Sequence, residues 1–276
     1  MRPMQALRLY LKDGVDAAQA ITILTARANA GKGLGGETVR HGTTVAANAG
    51  YLERRRDGYI DWADATAIQL TNVTNDTDVL ALPYTPAYWE IRQLIPTSPR
   101  GLPLIDAEIA RQVRNLEDLR GDLELRLDRV AGTHGHIVIV DTNVLLHHQL
   151  PDSVNWPKAV GQPDVRIVIP LRVIEELDAM KYTEREPTRT RARERLPKIH
   201  RMVGAGGVPS RLHEHTTVEV FIEPGPRTRP ADADTEILET AHELRRLSGH
   251  DVTIVTGDTG MRLRAEAEGI ATVAMP

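Results

Sequence analysis

From residue 136 onward, short apolar runs rich in β-branched residues alternate with segments of helical spacing. That alternation leaves the C-terminal half of this chain few folds to choose from. The runs are His136–Val140, Val165–Ile169, Val218–Ile222, Val252–Val255 and Ile270–Val273. Helical patterns separate them at Val144–Leu150, Leu171–Lys181, Arg189–Val203, Asp234–Leu247 and Gly260–Glu268. Strands that are apolar on both faces and joined by helices argue for a parallel sheet covered on both sides. The expected class is therefore α/β. In such sheets ligands collect beyond the carboxyl ends of the strands.

The chain changes character near residue 132, and 276 residues are ample for two domains. We expect a mostly helical domain over 1–131 and the β/α domain over 132–276. In the first, Ala17–Ala30, Gly36–Arg56 and Trp62–Val73 read as helices, and LIPTSPRGLP (residues 94–103) as a break. Pro103 then introduces a long amphipathic helix over 104–130. Its stripe is Ile105, Ile109, Val113, Leu116, Leu119, Leu123, Leu127 and Val130, in steps of three and four. The stripe packs within its own domain or against a second copy in a short coiled coil; a homo-oligomer through this helix or through the β/α domain is the partner it suggests. Glu117 with Arg120, and Asp122 with Arg126, are placed to pair on its outer side. Arg54-Arg55-Arg56 reads as a solvated helix end. Tyr84, Tyr88 and Trp89 read as a small core cluster rather than a base-stacking platform.

Composition excludes several chemistries. There is no cysteine, which removes disulfides, thiolate zinc sites and cysteine nucleophiles. Net charge is -4, so a polyanion must be met by a local basic patch rather than by the bulk field. The N-terminus lacks the apolar run of a signal peptide, and no stretch of about 18 apolar residues occurs. A cytoplasmic protein with no membrane partner is expected. The pairs His134/His136, His147/His148 and His213/His215 lack accompanying ligand spacing and read as surface histidines.

Four acidic residues stand at the turning points of the β/α pattern: Asp141, Glu176, Asp234 and Asp258. Taken singly, each has an ordinary role. Asp141 and Asp258 precede helices and suit an N-cap. Glu176 suits a solvated helix face, and Asp234 a first helical turn. Gathered at one edge of a sheet, they would repel and lose hydration. A hard divalent cation with oxygen ligands, Mg²⁺ or Mn²⁺, offsets that repulsion.

These residues lie in segments that resemble the PIN domain, a nuclease fold, over residues 136–276. VIVDTNVLL resembles the family's opening strand and its acidic motif. IPLRVIEELDAMK resembles the second motif, where the Glu directly before Leu matches, hence Glu176 rather than Glu175. DADTEIL resembles the third motif, where Asp234, three residues before Ile237, matches better than Asp232. VTIVTGDTGMRLRAEAEGI resembles the Thr-x-Asp motif before the last helix and strand. The nearest subgroup is the bacterial one sometimes joined to an ATPase, but no nucleotide-binding glycine loop follows here. The N-terminal half resembles no family.

The resemblance implies a metal-dependent endoribonuclease: a hydrolase that cuts phosphodiester bonds of single-stranded RNA and leaves 5′-phosphate and 3′-hydroxyl ends. Asp141, Glu176, Asp234 and Asp258 would hold Mg²⁺ or Mn²⁺, which lowers the pKa of the attacking water and neutralises developing charge. Asp234 or Asp258 would take the proton. Thr142, Asn143 and Thr256 would hydrogen-bond to the acids and orient them. Three other readings compete. One is an RNA-binding scaffold that does not cleave, and one is a toxin-type ribonuclease of a toxin–antitoxin pair. The third is an Asp-nucleophile phosphatase, disfavoured because Asn143 stands where a second Asp is wanted.

RNA would be gripped by the stretch from Lys181 to Arg201, where eight basic side chains stand against three acidic ones. Lys181, Arg189, Arg191 and Arg193 are the candidate phosphate contacts. A solvated helix laced with salt bridges is the alternative. Arg227 and Arg229 are equally placed to touch a backbone.

Overall fold

The computed structural model describes residues 8–35, 45–95, 97–131, 134–204, 208–222 and 232–275. Arg227 and Arg229 lie outside them. The chain divides into two units, Met1–Leu127 and Asp128–Pro276. No helix among the described residues is long and apolar enough to cross a membrane.

The first unit is helical, with α1 (Ala17–Gly35), α2 (Val45–Thr71), α3 (Thr77–Leu80), α4 (Pro86–Arg92) and α5 (Gly101–Ala131). The unit boundary falls near the end of α5. Two predicted helices are here one: α2 runs through Gly58 because Leu52, Tyr59, Ala63 and Leu70 continue one buried face across it. A helix-interior glycine costs about 1 kcal/mol, less than that face returns. Residues 36–44 of the predicted Gly36–Arg56 helix lie outside the described residues. Along α5, Ile105, Ile109, Val113, Leu116, Leu119 and Leu123 are all buried within the chain.

Four readings of this unit need correction. Arg55 is buried rather than solvated, and donates to Leu34 O and Asp106. Arg126 is also buried; it pairs with Asp122 at 2.7 Å while donating to Leu9 O. Glu117 pairs with Lys32 at 2.5 Å rather than with Arg120, whose partner is Glu124 at 3.5 Å. Of the aromatic cluster only Tyr88 is core. Tyr84 and Trp89 are exposed, with ring centroids 6.5 Å apart.

The second unit is the expected α/β sheet. Its strands are β1 (His136–Val140), β2 (Val165–Pro170), β3 (Ser210–His213), β4 (Thr216–Phe221), β5 (Val252–Val255) and β6 (Ala271–Val273), in spatial order β3-β4-β2-β1-β5-β6. All neighbours are parallel except β3, which pairs antiparallel with β4 at the edge. The central strands are almost wholly buried, as continuous apolar runs require. The helices are α6 (Thr142–His147), α7 (Trp156–Val160), α8 (Leu171–Thr183), α9 (Thr188–Met202), α10 (Ala233–Ser248) and α11 (Thr259–Ala267). Gly135, with φ 112°, enters β1 where a Cβ would come within 3.2 Å of the β2 backbone, so only glycine fits.

One charged pair lies inside the sheet. Arg166 on β2 donates to Glu219 on β4 at 2.6 Å, and both side chains are essentially inaccessible. The same guanidinium donates to Val130 O at 3.0 Å and Arg129 O at 3.3 Å, satisfying carbonyls at the end of α5 that have no intrahelical partner.

Candidate active site

The central strand β1 delivers the first acid. Asp141 follows Val140 in extended conformation and caps α6: its Oδ1 accepts Val144 N–H at 2.7 Å. Its Oδ2 accepts the hydroxyl of Thr256, which follows the adjacent parallel strand β5. That hydroxyl in turn accepts Asp258 N–H at 2.9 Å. Two neighbouring strand ends are thereby joined through one buried threonine. Asp258 caps α11 through Oδ1, which accepts Gly260 N–H at 2.6 Å and Met261 N–H at 3.0 Å. The capping roles read from the sequence for Asp141 and Asp258 are real, and they also orient both carboxylates at the carboxyl edge of the sheet.

Strand β2 lies on the other side of β1 and leads directly into α8. Glu176, on the second turn of that helix, accepts the hydroxyl of Thr142 at 2.5 Å. Because Thr142 follows Asp141 in the chain, this bond ties the second acid to the first. The hydrogen bonds that hold the acids involve Thr142 and Thr256 but not Asn143, which is half-buried in the first turn of α6.

The N-cap of α10 is Asp232, whose carboxylate accepts Thr235 N–H at 3.0 Å and the Thr235 hydroxyl at 2.5 Å. These bonds hold the Asp232 carboxyl below its usual range. Asp234 is left free of capping duty. It lies near enough to Asp141 to act on it electrostatically, but it is ion-paired with Arg264 of α11.

Asp141 is only 4% exposed, and its carboxyl is pushed above the ordinary range, first by burial and then by the charges of Asp234 and Asp258. The Thr256 and Val144 hydrogen bonds act in the opposite direction. Two like charges acting on a buried carboxylate, with oxygen donors only, suit a hard divalent cation. As the side chains stand, no three His, Cys, Asp or Glu among the described residues form a group able to hold a metal ion. The donor chemistry fits; each acid is at present engaged by a partner from the protein itself.

The basic segment is less free than its composition suggests. Lys181 pairs with Asp178 at 2.5 Å, and Arg189 donates to Glu184 O at 2.9 Å. Arg191 contacts His147 Nδ1 at 2.9 Å; burial and then this cation push the imidazole below its usual range. Arg195, read from the sequence as part of a phosphate track, instead donates to Leu145 O at 2.9 Å and to His148 O at the end of α6. Carbonyls without intrahelical partners at a helix end draw an arginine inward. These contacts place the basic helix α9 against α6, the helix that Asp141 caps. Arg264 was missed altogether: MRLRAEA reads as an ordinary charged helix, and nothing local separates Arg264 from Arg262. His213 and His215 contact Asp152 O and Asp164.

The PIN domain family model matches residues 138–275, which include all four acids. No curated protein matches the chain.

Proposed function

Through residues 138–275 the chain belongs to the PIN domain family, whose fold is of nuclease type, and from that premise we propose that it is a metal-dependent endoribonuclease acting on single-stranded RNA. The observation that carries this reading is the convergence on Asp141. Its carboxylate is joined through Thr256 to the backbone of Asp258, carries the charge of Asp234 nearby, and is followed by Thr142, which holds Glu176.

Asp141, Glu176, Asp234 and Asp258 would hold Mg²⁺ or Mn²⁺. When bound, the cation supplies charge neutralisation at the phosphodiester and eases deprotonation of the attacking water. The rest falls to the chain's own groups. Thr256 donates to Asp141 and favours its ionised form against the burial that opposes it. Thr142, next to Asp141 in the chain, donates to Glu176 and orients it. Asp258 spends only Oδ1 on the N-terminus of α11, so Oδ2 is available to accept the water's proton; Asp234 is the alternative acceptor. Lys181, Arg189, Arg191 and Arg193, on α8 and α9, would bind the RNA backbone. Lys181, Arg189 and Arg191 already have partners within the protein, and an incoming phosphate would have to compete for them.

The test is cleavage of structured and unstructured RNA by the full chain with Mn²⁺, Mg²⁺ or a chelator, beside Asp141→Asn. Metal-dependent cleavage that the variant loses supports the proposal. Equal cleavage by both proteins identifies a contaminant. No cleavage of any RNA, with binding retained, supports the non-cleaving scaffold.

A further inference from the structure

Three of the four acids are held by neutral donors: Asp141 by Val144 N–H and the Thr256 hydroxyl, Asp258 by two backbone N–H groups, and Glu176 by the Thr142 hydroxyl. A neutral donor orients an oxygen and leaves the negative charge in place. Asp234 is treated differently. Nη2 of Arg264 donates to its Oδ2, while Nη1 stands 3.8 Å from Oδ1 of Asp232. A guanidinium stays charged at any accessible pH, so Asp234 already has its counter-ion. A second cation must either share that carboxylate with the first, through Oδ1, or displace it. The displacement is not difficult, because the arginine side chain is 46% exposed and the aspartate 41%, and exposed ion pairs are weak.

Arg264 also links the helix bearing Asp234 to the helix that Asp258 caps. It therefore stands at the rim of the site, and its planar fork matches a phosphate oxygen pair. We infer that Arg264 is a positioning residue acting through Asp234. It is a tethered counter-ion that neutralises this carboxylate until a divalent cation competes for it, and it then meets the phosphate of the bound strand. This rests on the nuclease reading above.

The decisive measurement is calorimetric titration of Mn²⁺ alone into the full chain and into Arg264→Gln, Arg264→Lys, Arg262→Gln and Asp141→Asn. Arg264→Gln should bind Mn²⁺ about two- to five-fold more tightly than wild type, the scale of an exposed ion pair. Arg264→Lys should stay near wild type. Arg262→Gln removes the same charge from the same helix and should change little. In RNA cleavage, Arg264→Gln should raise KM by a larger factor than it lowers kcat. If Arg264→Gln binds Mn²⁺ no more tightly than Arg262→Gln, the counter-ion role is overturned; an unchanged KM overturns the phosphate contact. Asp141→Asn separates the two levels. If it binds Mn²⁺ as wild type does, or if no protein binds Mn²⁺, the nuclease reading fails and this inference with it. If it binds weakly while Arg264→Gln shows no gain, only the inference about Arg264 fails.

Discussion

The buried hydroxyl of Thr256 donates to Oδ2 of Asp141 while accepting the backbone N–H of Asp258 at 2.9 Å. One oxygen thus fixes the spacing of two neighbouring strand ends and stabilises the more deeply buried carboxylate in its charged form. Thr256→Val removes the donor and leaves both partners in place. Cleavage should fall about 10- to 100-fold, the usual scale for groups that orient metal ligands. Thr256→Ser should recover most of it. Equal activity in the valine variant would remove Thr256 from the site.

Asp141→Asn should lose Mn²⁺ binding and cleavage but unfold at a higher temperature than wild type. The native carboxylate is desolvated and faces the charges of Asp234 and Asp258. The amide keeps the cap to Val144 without that charge. Sites built for function often lower stability in this way. A lowered unfolding midpoint by circular dichroism would show that the cap, not the repulsion, dominates.

The pH dependence has a definite sign. Asp141 has a folded pKa above its ordinary value of 3.8. The folded state therefore holds this proton more tightly than the unfolded state, and ionising the group above the unfolded pKa costs stability. That cost is relieved as pH falls through the folded pKa. Metal binding needs the carboxylate, so Mn²⁺ affinity should decline across the same range in which stability is relieved. The onset should lie at higher pH than for an ordinary aspartate. Thr256→Val should move the onset higher still. An affinity that stays flat down to the ordinary aspartate range would exclude Asp141 as a ligand.

Replacing Arg189, Arg191 and Arg193 together should weaken RNA binding and reduce the slope of log K against log salt by about 0.7 for each phosphate no longer neutralised. Arg195→Ala should instead lower the unfolding midpoint, because it strips the partner from carbonyls at the end of α6. A salt slope unchanged in the triple variant, measured by fluorescence anisotropy, would remove α9 from the RNA path.

Arg166→Met leaves Glu219 buried and unpaired, and should destabilise the second unit by about 3–5 kcal/mol. The double replacement Arg166→Met, Glu219→Leu should recover much of that loss, since neither charge then needs a partner. Chemical denaturation of the single and double variants measures the difference. A single variant as stable as wild type would contradict the burial of the pair.

The sheet was legible because parallel strands buried on both faces must be continuous apolar runs, and the runs of β1, β2 and β5 are. Strand β3 was not. It is a four-residue edge strand of alternating exposure, and Ser-Arg-Leu-His carries no apolar run. Helix α7 escaped for a similar reason, being five residues long. In the first unit, separate helices were expected over Gly36–Arg56 and Trp62–Val73, whereas the buried face of α2 carries one helix through Gly58.

From the sequence alone came the α/β class, because strand period is a local property of the chain, and its resemblance to the family's motifs named the four acids as candidates and preferred Glu176 and Asp234. What each acid and arginine is bonded to was settled only by the fold. Asp232 takes the cap and leaves Asp234 to Arg264. Thr256 reaches across from β5 to Asp141, Arg195 turns inward to α6, and Arg166 finds Glu219 inside the sheet. Those pairings join residues 30 to 115 positions apart. A side chain's partner over such a separation depends on which strand ends and helix faces the topology brings side by side, and no local pattern records that.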